Sequence, residues 1–149
     1  MWNSAIVAYF HYLGFMLAFA ALIVELFNLK PDITLEQAKK VAFADIVYGL
    51  AAVTILGTGV LRVLYFGKGT AYYMHNPFFL GKMAVFIIVS LLSLYPTITF
   101  ILWFKDLQKG EAPVLEVSKI NILSGMIKGE LLSFTILPLL AAIMARISG

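Results

Sequence analysis

Four long apolar stretches, separated by short polar ones, set the pattern of the chain. The run AYFHYLGFMLAFAALIVEL, residues 8–26, is interrupted only by a histidine towards one end and a glutamate towards the other. Each stretch is close to the ~20 residues that cross a hydrocarbon core. The pattern predicts spans over residues 5–29, 41–66, 77–104 and 117–147. Pro31 in LKPDITLEQAKK stops the first, and Asp32 or Thr34 can cap the second with Glu36 or Gln37 in the following turn. In YFGKGTAYYMHNP, Gly67, Gly69 and Asn76-Pro77 mark a turn-rich loop, and Pro77 suits the first turn of the third helix, where its missing N–H is no loss. KDLQKGEAPVLEVSK leads into the fourth. Long helices joined by short loops predict an all-α protein, an integral membrane antiparallel four-helix bundle forming a single domain over residues 1–149.

Composition fixes the solvent. Of the 149 residues 62% are hydrophobic and 13% charged, with a mean hydropathy of +0.95, where a soluble domain carries about a quarter charged residues. The lipid bilayer is therefore the first expected partner. The net charge of +3 comes from basic residues in short loops, which report topology and give no nucleic-acid reading. No Lys or Arg precedes the first apolar run, so it is read as a retained helix. Cysteine is absent, which removes disulfides, thiolate metal sites and Cys nucleophiles. Walker A, G-x-G-x-x-G, H-E-x-x-H and G-x-S-x-G motifs are absent too, leaving nucleotide hydrolysis, zinc proteolysis and serine esterase chemistry without footing.

Charge asymmetry then orients the spans. Lys30, Lys39, Lys40, Lys105, Lys109 and Lys119 flank the first and third loops, whereas Arg62 and Lys68 flank the second and Arg146 the C-terminus. Positive loops stay in the cytoplasm, so both termini are expected on the non-cytoplasmic side. With a rise of about 1.5 Å per residue, His11, Arg62 and Lys82 fall within one or two turns of that side and share a level. Glu25, Asp45, Lys128 and Glu130 lie in the cytoplasmic half and make a second level. His11, Gly14, Ala18, Ala21 and Glu25 recur at spacings of three and four, and so do Asp45, Tyr48, Ala52, Ile55, Gly59 and Arg62. Both faces are lined by small residues that allow close helix approach in lipid.

Each polar residue carries alternatives. Arg62, Lys82 and Glu25 are close enough to helix ends to snorkel. His11 either bonds across the bundle, ligates a metal or haem iron, or relays a proton. Asp45 either pairs with Lys128 or belongs to a relay with Glu25, Glu130 and Lys128. His75 is the only second imidazole, and a bis-histidine haem would need it level with His11. Tyr9, Tyr12, Tyr65, Tyr72 and Tyr73 read as an interfacial aromatic belt. Pro96 and Pro138 are expected to kink the third and fourth spans.

The stretches FADIVYGLAAVTILGTGVLRVLYFGKG, YYMHNPFFLGKMAVF and LLSLYPTITFILWF resemble the bacterial membrane-protein family defined by domain of unknown function 2214, a likeness that covers nearly the whole chain and implies the bacterial inner membrane. More distantly, a first-span histidine with a lysine early in the third span resembles the HemJ-type protoporphyrinogen oxidases. That resemblance implies haem b, with His11 as the haem-associated histidine and Lys82 as its third-span lysine, both in a catalytic role. Arg62 and Lys82 would then hold an anionic group such as a propionate. Three functions follow as expectations: a haem-dependent oxidoreductase; a non-enzymatic accessory or assembly subunit that docks on itself or on a larger membrane complex; and a proton-coupled small-solute transporter.

Overall fold

The computed structural model describes residues 2–147, and among these there is no strand. Helix α1 spans Trp2–Asn28, α2 Leu35–Leu64, α3 Thr70–Met74, α4 Pro77–Gln108 and α5 Val117–Ile147. All but α3 are long and apolar enough to cross a membrane. They pack round the bundle in the order α1, α2, α4, α5, with the α1–α2 and α4–α5 hairpins as the most extensive contacts. Neighbours run antiparallel: His11 meets Thr58 and Ser4 meets Phe66 across the first hairpin, while Gly129 faces Leu92 and Gly81 faces Leu140 across the second. One end of the bundle therefore carries both termini and α3, the terminal end. The other carries the α1–α2 and α4–α5 connections, the loop end.

Local chemistry sets the helix limits. Thr34 caps α2 through a reciprocal pair: its hydroxyl accepts from the Gln37 N–H at 3.2 Å, and the Gln37 side chain accepts from the Thr34 N–H at 3.0 Å. The α2 helix thus starts six residues before the apolar run at Val41, because the cap holds a polar first turn that hydropathy alone does not see. Asn76 caps α4 by accepting from the Phe78 and Phe79 N–H groups, with Pro77 at the first helical position. Both α4 and α5 continue as helix through Pro96 and Pro138.

The loop after α2 holds more order than its glycines and tyrosines suggest. It contains α3, and Tyr73 turns inward out of the expected belt while Tyr9, Tyr12 and Tyr65 stay exposed. The Tyr73 hydroxyl accepts from the Lys68 N–H at 3.3 Å. A β-carbon at Gly67 would run into that hydroxyl and into the Arg62 carbonyl oxygen, so only glycine lets the loop close over the end of α2. Gly69, with φ of 99°, begins α3 in backbone space that L residues rarely adopt.

Large apolar residues such as Leu50, Val53, Leu91, Ile98 and Leu132 lie exposed around the outside, as lipid-facing positions should. The inside is a seam of small and aromatic residues. Ala18, Ala21, Ala38, Ala44 and Ala51 sit between α1 and α2, and Phe100, Trp103 and Phe134 fill the volume nearer α4 and α5. At Gly14 an added β-carbon would lie 3.2 Å from the Ala51 carbonyl oxygen, which shows how closely α1 and α2 approach.

Candidate functional site

Polar side chains gather inside the bundle at two levels. Towards the loop end, α1 contributes Glu25, α2 Asp45 and α5 Glu130, and all three are buried. Glu25 and Asp45 touch through their carboxyls. Asp45 also accepts from the Thr97 hydroxyl of α4 at 3.3 Å. The Tyr48 hydroxyl lies between Ser93 and Glu130. Nevertheless one oxygen of Glu25 and both of Glu130 have no hydrogen-bond partner, although each residue is only 1% exposed.

Among the described residues no Lys, Arg or His side chain pairs with any of these carboxyls. Lys128, the cation expected to pair with Asp45, is exposed. The reason is rotational: at 3.6 residues per turn, two positions apart is about 200° around a helix, so a buried Glu130 sends Lys128 outward. Nor are three His, Cys, Asp or Glu side chains gathered closely enough among the described residues to hold a metal ion. A carboxyl buried without a basic side chain beside it is tolerated in a low-dielectric interior only by carrying a proton or by gaining a partner.

Aromatic layers close this level on both sides. Phe134, one turn from Glu130 towards the terminal end, meets Phe15 edge-on at 5.1 Å and Tyr48 at 6.2 Å. Towards the loop end Phe100 and Trp103 pack at 4.9 Å, with Leu123 and Ile127 fully buried beside the acidic residues' helix turns.

The second level lies on the terminal side of Phe134. His11 of α1 is half-buried against Gly59 of α2, where a β-carbon would come within 3.4 Å of its ring. Its Nδ1 is 2.8 Å from the Thr58 hydroxyl. That hydroxyl already donates to the Thr54 carbonyl at 2.6 Å, so it can only accept from the ring. The network thereby assigns the Nδ1 proton, and in the neutral ring leaves Nε2 with a free lone pair. Arg62 and Lys82 lie within electrostatic range of His11 and of each other, both half-buried. The Arg62 guanidinium stacks over the Tyr12 ring at 5.6 Å.

This level was tested against a haem. An imidazole whose Nδ1–H is anchored and whose Nε2 is free suits an axial ligand, and Arg62 with Lys82 suits two carboxylates. Cofactor sites enclose ~300–1,000 Å³, and two open grooves of about 310 and 250 Å³ lie on the outside of the loop-end half, away from this level. The first is lined by residues such as Lys39, Phe43 and Phe104 and the second by Leu17, Val24 and Lys40; neither touches His11. His75, the expected second ligand, is exposed with its Nδ1 2.8 Å from the Ala71 carbonyl oxygen of its own helix. Among the described residues, therefore, His11 has no second imidazole beside it and neither groove reaches it.

Sequence reasoning placed Glu25, Asp45, Lys128 and Glu130 at one depth and His11, Arg62 and Lys82 at another; the structure gathers Glu25, Asp45 and Glu130 inside the bundle and turns Lys128 outward. It missed Thr58, Thr97 and Ser93. Hydroxyls inside apolar helices are unremarkable in sequence because they can bond their own backbone, as Ser90 and Thr99 do here.

Four antiparallel spanning helices around buried ionisable groups define a multi-pass membrane protein of the helical-bundle class. Within that class, residues 3–149 match the family described as Predicted membrane protein (DUF2214), and the chain belongs to it. No curated protein and no solved structure matches.

Proposed function

We propose that the chain is a proton-coupled carrier of a small solute, with Glu25, Asp45 and Glu130 as its proton-binding cluster. The carrying observation is the pair of orphaned, fully buried Glu130 oxygens beside two further carboxyls with no cation at hand. Intramembrane acids are costly and mark ion or proton pathways. Glu25 and Asp45 make the contact in which a proton passes between carboxyls, and Tyr48 stands next to Glu130 as the nearest hydroxyl. The absence of a three-ligand metal cluster among the described residues favours a proton over a metal ion as the coupled species. Aromatic packing on both sides makes this arrangement a closed one, so access to either face requires the helices around Phe134 or Phe100 to move. The basic loops support an orientation with the cluster in the cytoplasmic half of a bacterial inner membrane and the terminal end of the bundle outside.

The haem-dependent oxidoreductase reading is the lesser, because neither groove reaches His11 and His75 stands apart from it. The accessory-subunit reading accounts for the close α1–α2 seam but not for three unpaired acids. The test of the carrier is proton movement into liposomes holding a pH-sensitive dye, loaded in turn with a panel of small cations, amino acids and carboxylates. Solute-dependent proton uptake that disappears in Asp45→Asn and Glu130→Gln is the expected result. Protein-loaded liposomes that behave like empty ones for every solute would overturn it.

A further inference from the structure

Charge is divided along this bundle in a way that leaves two cations without an acidic side chain near them among the described residues. All eight acidic side chains lie in the loop-end half: Glu25, Asp45 and Glu130 inside, and Asp32, Glu36, Asp106, Glu111 and Glu116 at or near the connections. The terminal end carries Arg62, Lys68, Lys82 and Arg146 and no carboxylate side chain. Lys68 and Arg146 are exposed and free to meet water. Arg62 and Lys82 are different. They come from neighbouring helices, α2 and α4, sit half-buried within electrostatic range of each other, and are backed by His11 of α1. Arg62 occupies the last turn of α2, held under the Gly67–Tyr73 contact and stacked on Tyr12. Lys82 lies five residues into α4, about 7.5 Å below its start.

Two like charges brought together in a partly desolvated place repel each other unless an anion lies between them. Among the described residues no side chain of this half supplies one. We infer that Arg62 and Lys82 form a binding site for a phosphate-type oxyanion, entered from the terminal end. Arg62 offers a planar fork that takes two oxygens at once, and Lys82 a point charge for a third. His11, within electrostatic range of both cations, supplies a further polar group beside them. Snorkelling alone would leave the two charges within electrostatic range of each other uncompensated. The phosphate can belong to an anionic phospholipid headgroup or be free, and the two sources share this chemistry.

The experiment uses the full chain in phosphatidylcholine nanodiscs, in two arms. In the first, phosphatidylglycerol is added at low mole fraction and retention is read by native mass spectrometry after transfer to detergent. In the second, inorganic phosphate is titrated and its phosphorus resonance followed. Either one phosphatidylglycerol per chain is retained while phosphatidylcholine is lost, which assigns a lipid, or the phosphate signal broadens saturably, which assigns free phosphate. Arg62→Gln with Lys82→Gln should weaken the responding arm at least tenfold, and Arg62→Lys with Lys82→Arg should weaken it less. Lys128→Gln, at the other end, should leave it unchanged. If the double Gln variant loses its helical circular dichroism, the two single variants are read alone, each with the same direction. Silence in both arms, binding untouched by the Gln variants, or an equal loss in Lys128→Gln would overturn the inference.

Discussion

The acidic level and the basic level of this bundle bury ionisable groups in opposite ways. At the acidic level the side chains are enclosed: Glu25 and Glu130 are each 1% exposed, and aromatic rings seal the space above and below. At the basic level His11, Arg62 and Lys82 are only half-buried, within two or three turns of the terminal end. A charge near the edge of a membrane can be neutralised by whatever the interface supplies. A charge in the middle must be neutralised by the protein or by a proton. The comparison therefore separates a site that waits for an outside ligand from one whose ligand is small enough to pass between packed helices.

Phe134 divides the two levels, and its removal is the strongest way to break the contrast. Phe134→Ala should lower stability by about 3–5 kcal/mol, the usual range for deleting a buried aromatic, read as an earlier unfolding midpoint in mixed detergent micelles. It should also let the acidic level exchange with the terminal side, giving a proton leak in liposomes that needs no solute. A stable, tight variant would mean that the ring is not the barrier.

The acidic level itself is expected to be a burden on the fold. Glu130→Leu removes two orphaned oxygens and should raise stability by about 1–3 kcal/mol, the cost of leaving such groups unsatisfied. The same substitution should abolish solute-coupled proton uptake. Stability gained while activity is lost marks a residue kept for function; stability lost instead would show that Glu130 has a partner that supports the bundle.

At the basic level the expected effect is smaller, because the site is half-exposed and the Ile55 backbone also bonds the His11 ring. Thr58→Val deletes the acceptor of the His11 Nδ1–H and should cost about 1 kcal/mol, the net worth of a typical hydrogen bond. Nitrogen NMR of labelled histidine is the finer measurement. In the parent protein the neutral His11 ring should hold its proton on Nδ1, and in Thr58→Val the two tautomers should mix.

Much of this was legible in the sequence, and what was hidden has a common cause. Hydropathy finds spans because lipid demands apolar surface over a fixed length, so the four long helices are visible. Spacings of three and four find the buried face of α1: of His11, Gly14, Ala18, Ala21 and Glu25, all but His11 are fully buried. Depth along a helix can be counted from its end, which is why residues of different helices could be assigned to two levels. Rotation is harder. Glu130 and Lys128 share a depth, and only the packing of α5 on α1 and α4 decides which of them turns inward. Partners such as Thr58 and Thr97 are harder still, since which hydroxyl meets which acid depends on the relative rotation of two helices. The short α3 was hidden because five residues between glycines and a proline carry no periodic signal.

The smallest prediction tests that rotational argument directly. If Lys128 were the counter-ion of Asp45, Lys128→Gln would leave a buried carboxylate uncompensated and cost about 3–5 kcal/mol. With Lys128 exposed on the far side of α5 from Glu130, the expected change is within ~0.5 kcal/mol, the ordinary range for a surface substitution away from any special contact. The two expectations differ by far more than the error of a micelle unfolding measurement, so one variant separates a paired acid from an unpaired one. Since the carrier reading depends on unpaired acids, a large loss in Lys128→Gln would turn the Glu25–Asp45–Glu130 cluster into an element of bundle structure and leave the basic level as the place to look for function.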